Sequence, residues 1–143
     1  MQNKLILLLF LVLYLTGCGT VSNTTKTNCI NENTRDLTLR WGGHNYKQNN
    51  LSGWQIDGEL NLYKFSKDSL NAPYKTEKIG TVDTNKFCEL LKKSRKLFIE
   101  IQALYAPGDS SHFVEYMQPS SNTNLRAVWN MRFKTYGSTE FRE

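Results

Sequence analysis

The chain divides by its hydrophobic pattern before any residue is considered for its chemistry. Residues 5–15, LILLLFLVLYL, form an unbroken apolar run, whereas residues 19–36 are rich in Asn, Thr and Ser with few apolar positions. From Leu37 onward apolar residues recur at intervals of two or of three to four, the spacings that fill one face of a strand or of a helix. In DLTLRW, Leu37, Leu39 and Trp41 alternate with polar residues and predict a strand, and GGHNYKQNN predicts a loop after it. GWQIDGELNLYKF sets Asp57 and Gly58 between Trp54/Ile56 and Leu60/Leu62. That pattern predicts a hairpin, because Asp-Gly readily supplies the left-handed turn that joins twisted strands. SKDSLNAPYKTE predicts another loop and KIGTV a short strand.

Helical spacing takes over next. Asp83 or Thr84 can cap a helix burying Phe87, Leu90, Leu91 and Phe98, with Lys86, Lys92, Lys93 and Lys96 mostly off that face. At Ile99 the interval returns to two, so the helix is expected to end around residues 95–98 and give way to a meander of FIEIQAL, HFVEYM and LRAVWNMR. Turns centred on Pro107/Gly108 and on Ser121/Asn122 set Ile101 opposite Val114, Glu100 opposite Glu115, Val114 opposite Trp129 and Tyr116 opposite Ala127. One face then collects Ile99, Ile101, Val114, Tyr116, Ala127, Trp129 and Met131 and packs beneath the helix. The other collects Glu100, Gln102, Phe113, Glu115, Met117, Arg126, Val128, Asn130 and Arg132, a mixture of apolar and charged groups that makes it the candidate binding face. The predicted fold class is α+β, an antiparallel sheet of about six to seven strands with one principal helix packed on one face.

The amino end carries an address. Lys4, the apolar run and the small residues Thr16 and Gly17 have the order of a secretory signal. As a helix the run would span only about 16 Å, roughly half of a bilayer's hydrocarbon core, which argues against a permanent spanning anchor. Leu15, Thr16, Gly17 and Cys18 resemble the lipobox of bacterial lipoproteins, an aliphatic residue, two small residues and the acylated cysteine. In that family the thiol receives a diacylglyceryl group, the preceding peptide is removed, and the new amino group is usually acylated, for example with palmitate. The resemblance covers residues 1–18. It implies a cleaved leader over residues 1–17 and a lipid-anchored Cys18, stable on a membrane through two or three acyl chains. Gly19 is not the aspartate that retains many such proteins at the inner membrane. An exported protein on the outer membrane, facing the periplasm, is therefore expected where the host has two membranes. Residues 18–36 then read as the lipidated cysteine and a tether, and residues 37–143 as a single α+β domain.

Charge adds little. Losing Lys4 lowers the formal net charge from +5 to +4, far from that of a nucleic-acid binder, and no nucleic acid is expected as a partner. The expected partners are the lipid bilayer, through Cys18, and an envelope protein or cell-wall polymer. KKSRK, residues 92–96, could meet anionic headgroups or such a polymer, although a solvated helix face reads the same way. With Cys18 acylated, Cys29 and Cys88 are the candidate disulfide in an oxidising compartment, the alternative being two free thiols. Closing a loop of about 60 residues would contribute about 4 kcal/mol in the chain-entropy description.

No reaction is legible. GDSSH, residues 108–112, brings Asp, Ser and His together and resembles the nucleophile block of one lipase and esterase family, but neighbours on one turn diverge rather than converge. Glu100 and Glu115, as paired above, would form two carboxylates fit for acid/base work or a hard metal, with Arg126 diagonal to Glu115 as a compensating charge. His44 and His112 lack the spacing of a metal site, and no cofactor, metal or catalytic set is expected. The expectation is a membrane-anchored cell-envelope lipoprotein that acts as a non-catalytic binding or interaction module. The alternatives are an inhibitor or immunity-type lipoprotein against an envelope-active enzyme, which a protruding loop over residues 42–50 would favour, and a small envelope hydrolase.

Overall fold

A computed structural model describes residues 29–69, 71–101, 104–132, 134 and 137–142. The leader, Cys18 and Gln102 lie outside the described residues. The strands are β1 (Thr38–Asn45), β2 (Asn50–Asp57), β3 (Asn61–Lys67), β4 (Lys75–Thr81), β5 (Tyr105–Ala106), β6 (Ser110–Gln118) and β7 (Thr123–Asn130), with one helix, α1 (Thr84–Ile101), between β4 and β5. They form one seven-stranded sheet in the order β4-β3-β2-β1-β6-β7-β5. Every neighbouring pair is antiparallel except β5, which lies parallel to β7 at the edge, so the sheet is mixed where a purely antiparallel one was expected. The α+β class and the single packed helix are as the hydrophobic pattern predicted.

β1 sits at the centre and is longer than the alternation of DLTLRW suggested. Gly42, Gly43, His44 and Asn45, expected as loop, pair on one side with β2 and on the other with β6. Ladder bonds from two neighbours outweigh the low strand propensity of Gly and Asn there. Gly42 faces Gly53 across β1 and β2, and a Cβ on Gly42 would come within 2.1 Å of the Ser52 carbonyl oxygen. At the next connection the hairpin forms, but its left-handed residue is Leu60, at φ 69°, rather than Gly58. Asp57 organises this loop: its carboxylate accepts from the Glu59 and Asn61 amides at 3.0 and 2.9 Å and from the Tyr63 hydroxyl at 3.0 Å. Gly58 is needed for close approach instead, because a Cβ there would meet the Thr34 carbonyl oxygen at 2.3 Å.

That contact belongs to residues 29–36, which the tether boundary had placed outside the domain. A 3-10 turn at Glu32–Thr34 buries Thr34, whose hydroxyl donates to the Cys29 carbonyl at 2.9 Å. A disulfide joins Cys29 to Cys88 of α1 across a sequence separation of 59 residues. The packed structure therefore begins ahead of Leu37, held by the Cys29–Cys88 bond that the cysteines had offered as the candidate pair.

Asp83 caps α1, its carboxylate accepting from the Asn85 and Lys86 amides at 3.0 and 3.2 Å. The helix buries Phe87, Leu91, Ser94 and Phe98 and runs on to Ile101 instead of stopping near residue 98. Residues 98–101 satisfy both periods, and the tail decides between them. Phe141 packs on Phe98 at 5.2 Å, Ile101 meets Gly137, and Glu100 pairs with Lys96 one turn back at 3.7 Å. Ile99, expected in the core, is 75 % exposed.

β6 consequently pairs with β1 rather than with residues 98–104, and the expected pairs of Ile101 with Val114 and of Glu100 with Glu115 do not form. Between β6 and β7, Val114 faces Ala127 and Tyr116 faces Leu125, a shift of two residues from the expected register. The four-residue connection opens with the 3-10 turn Pro119–Ser121 and ends on left-handed Asn122, which centres it one residue earlier than predicted. A shift of two preserves the faces. Tyr116, Ala127 and Trp129 do pack under α1 with Leu39, Ile56, Phe87 and Leu91. The opposite face holds a smaller cluster of Leu51, Phe65, Phe113 and Val128.

Candidate functional site

Two surfaces collect chemistry, one on each face of the sheet. On the face away from α1, the register lines up Tyr63, Gln55, Arg40, Glu115 and Arg126 in one row across five strands. Arg40 donates to the Gln55 side-chain oxygen at 3.1 and 2.8 Å and pairs with Glu115 at 3.3 Å, and Arg126 takes the other carboxylate oxygen at 3.3 Å. The Arg40 guanidinium also lies over the rings of Phe65 and Tyr74, 5.3 and 4.6 Å from their centres, and that of Arg126 lies 5.2 Å over Phe113. The side chains of Arg40 and Glu115 are only 15 % and 12 % exposed. Both oxygens of Glu115 are thus engaged by cations, and the row acts as a brace.

Of the residues expected on this face, Phe113, Glu115, Arg126 and Asn130 share it. Glu100 does not: it stands on α1, paired with Lys96. Arg132 follows β7, its amide donating to the Asn130 side chain at 2.8 Å. Arg40 and Gln55 complete the row and were missed. Arg40 alternates with Leu39 and Trp41, so its outward direction was readable, but its partners depend on β6 lying beside β1.

The next rows contain His44, which is 5 % exposed and packs in a tilted contact on Tyr46 at 3.8 Å between ring centres. Neither ring nitrogen has a hydrogen-bond partner among the described residues. Burial, helped by the positive charge of Arg126, holds its pKa below the usual histidine value. The GDSSH segment does diverge: Asp109 pairs with Lys47 at 2.7 Å, the Ser111 hydroxyl is buried against the Gly108 backbone, and His112 points to the other face beside Trp129. The Lys47 ammonium keeps the Asp109 carboxyl below its ordinary pKa. Among the described residues no three His, Cys, Asp or Glu side chains are grouped to hold a metal ion.

On the helix side the sheet is not fully covered. A cleft of about 570 Å³ opens between α1, the upper parts of β1, β6 and β7, and the C-terminal tail. Trp41, Leu90, Leu97, Trp129 and Phe141 give it an apolar lining, with Lys93, Glu140 and Arg142 contributing charge. This volume lies in the range of small-ligand sites. Trp129 is 3 % exposed and stacked with Phe141 at 5.7 Å, yet its indole N–H has no hydrogen-bond partner among the described residues. A buried donor without an acceptor costs on the order of 1–3 kcal/mol. Ser94, His112 and Glu140 also line the cleft, but no hydrogen bond joins them, as a nucleophile, base and orienting acid would require. The tail residues that close this cleft fall in KTYGSTEFRE, too short and unpatterned to assign from sequence.

No protein-family model matches the chain, and no curated protein matches it. Among the described residues no helix is long and apolar enough to cross a membrane.

Proposed function

We propose that the chain is a membrane-anchored cell-envelope lipoprotein acting as a non-catalytic binding module, with the cleft between α1 and the sheet as its ligand site. The observation that carries the binding reading is the open apolar cleft of about 570 Å³ between α1 and the sheet, walled by Trp41, Leu90, Leu97 and Phe141. A ligand that suits it has a flat or extended apolar body, with Lys93 available to an anionic end. The LTGC segment supports the anchor, and a disulfide between Cys29 and Cys88 suits an exported compartment. The outer membrane, facing the periplasm, is the proposed site where the host has two membranes. An enzymatic role finds no support in the side chains that line the cleft. The inhibitor reading loses the protruding loop that would favour it, since only residues 46–49 of that stretch lie outside strands.

Anilinonaphthalene sulfonate, an aromatic probe with one anionic group, tests the cleft. We expect saturable one-site binding that Leu97→Glu abolishes without changing the melting temperature by more than a few degrees. Binding indifferent to Leu97→Glu would refute the cleft. The anchor has its own test: Cys18→Ser should move the protein from the membrane to the soluble fraction, and unchanged fractionation would refute lipidation.

A further inference from the structure

Cys29 is bonded to Cys88 on one flank of α1, so the chain from Cys18 meets the folded protein at the helix and not at β1. Eleven peptide steps separate Cys18 from Cys29, which span at most about 40 Å even when fully extended. The disulfide corner is therefore the part of the fold held closest to any membrane that carries Cys18. Beside it lies an open depression of about 410 Å³ lined by the disulfide, Leu91, Lys92, Arg95, Lys96, Ile99 and Glu100, whose carboxylate pairs with Lys96 at 3.7 Å and leaves the lining with two net positive charges. Lys92, Lys96 and Ile99 are all exposed. Arg95 is held in place there by donating to the Tyr116 hydroxyl at 3.0 and 2.7 Å, so its charge has a fixed position. The helix as a whole carries Lys86, Lys92, Lys93, Arg95 and Lys96 against Glu89 and Glu100, an excess of three positive charges on one element.

We propose that the disulfide flank of α1 docks on the anionic headgroups of the membrane to which the chain is anchored. The inference rests on the lipid anchor proposed above and adds an orientation and a lipid preference to it. Charges exert this attraction only within about a Debye length, roughly 8 Å at physiological ionic strength, and a leash that ends at the docking face lets that face come within this range. Ile99, exposed at the edge of the depression, adds an apolar contact at headgroup depth. The geometry also keeps the ligand cleft accessible. The cleft uses Leu90, Lys93, Ser94 and Leu97 of α1, the depression uses Cys88, Leu91, Lys92, Arg95, Lys96, Ile99 and Glu100, and the two share no residue. Docking by one flank leaves the other facing away from the lipid.

The full lipidated chain is reconstituted in vesicles of phosphatidylcholine, with and without about 30 % phosphatidylglycerol, and its lysines are acetylated and read by mass spectrometry. Lys92 and Lys96 should be labelled about fivefold more slowly in the anionic vesicles, the protection disappearing in about 0.5 M salt. Lys75 and Lys78 on β4, at the far edge of the sheet, should be labelled at the same rate in both. Equal rates for Lys92 and Lys96 in the two vesicles, or protection of Lys75 and Lys78 in their place, would overturn the docked face while flotation with neutral vesicles still upholds the anchor. A chain that does not float with neutral vesicles overturns the anchor and this inference with it.

Discussion

Phe65 of β3 and Phe113 of β6 stand on strands separated by two others, yet their ring centres lie 6.3 Å apart. The register explains this contact: Phe65 faces Gly53, Gly53 faces Gly42, and Gly42 faces Phe113. Two glycines in one row leave a trough across the sheet into which both rings lean. Leu51 and Val128 complete the cluster, and the guanidinium groups of Arg40 and Arg126 lie over the two rings.

Filling that trough should be costly. In Gly42→Ala the new methyl group would lie 2.1 Å from the Ser52 carbonyl oxygen and 2.7 Å from the Gly53 Cα, both backbone. A loss of about 1–3 kcal/mol is expected in urea unfolding, in line with overpacked cores. Gly43→Ala, whose Cβ has nothing closer than 3.9 Å, should cost less than about 1 kcal/mol. Equal costs at the two positions would contradict the close approach.

The polar row next to the trough predicts a non-additive pair. Removing Arg40 with Arg40→Leu leaves a mostly buried Glu115 with Arg126 as its only cation among the described residues, and should cost about 2–3 kcal/mol. Arg40→Leu with Glu115→Leu should cost clearly less than the sum of the single changes. Additive unfolding free energies would show that the two groups do not depend on each other.

His44 gives the fold a pH dependence with a definite sign. Its pKa is lowered in the folded protein, so below the ordinary histidine value of 6.5 the unfolded chain takes up a proton that the fold resists. The stabilising contribution is complete above that value and is lost as pH falls from it through the lowered folded pKa. The urea midpoint should therefore decline from pH 7 towards pH 5, and His44→Phe, which cannot titrate, should flatten that part of the profile. An unaltered slope in His44→Phe would assign the effect elsewhere.

Reducing the disulfide should lower stability by about 4 kcal/mol, because it closes a loop of about 60 residues. Unfolding in the presence and absence of a reductant measures it directly, and the cysteine pair replaced by Cys29→Ser with Cys88→Ala should match the reduced protein. A change below about 1 kcal/mol would mean that the amino-terminal segment adds little once the sheet has formed.

What could be read from sequence was the part governed by parity. Leu37, Leu39 and Trp41 announced β1, Asp83 announced the start of α1, and Val114, Tyr116, Ala127 and Trp129 share the face assigned to them, although their register is two residues out. Parity survives such a slip and pairing does not. Residues 98–101 obey both helical and strand spacing, and contacts with Gly137 and Phe141 decide for the helix. The candidate face was half legible for the same reason. Phe113, Glu115, Arg126 and Asn130 follow from alternation along β6 and β7, whereas Arg40 and Gln55 come from strands whose adjacency is a long-range fact. The helix-side cleft was not legible at all, since its third wall is a tail without periodicity.

The bond between Cys29 and Cys88 also governs how the protein bears mechanical load. β1, β2, β3 and β4 all lie between those two cysteines in the chain. A pull on residues ahead of Cys29 passes through the disulfide directly into α1 and bypasses these four strands. The central strand cannot be peeled from its neighbours by force from that end, and the part of the sheet inside the loop is mechanically silent for as long as the disulfide stays intact.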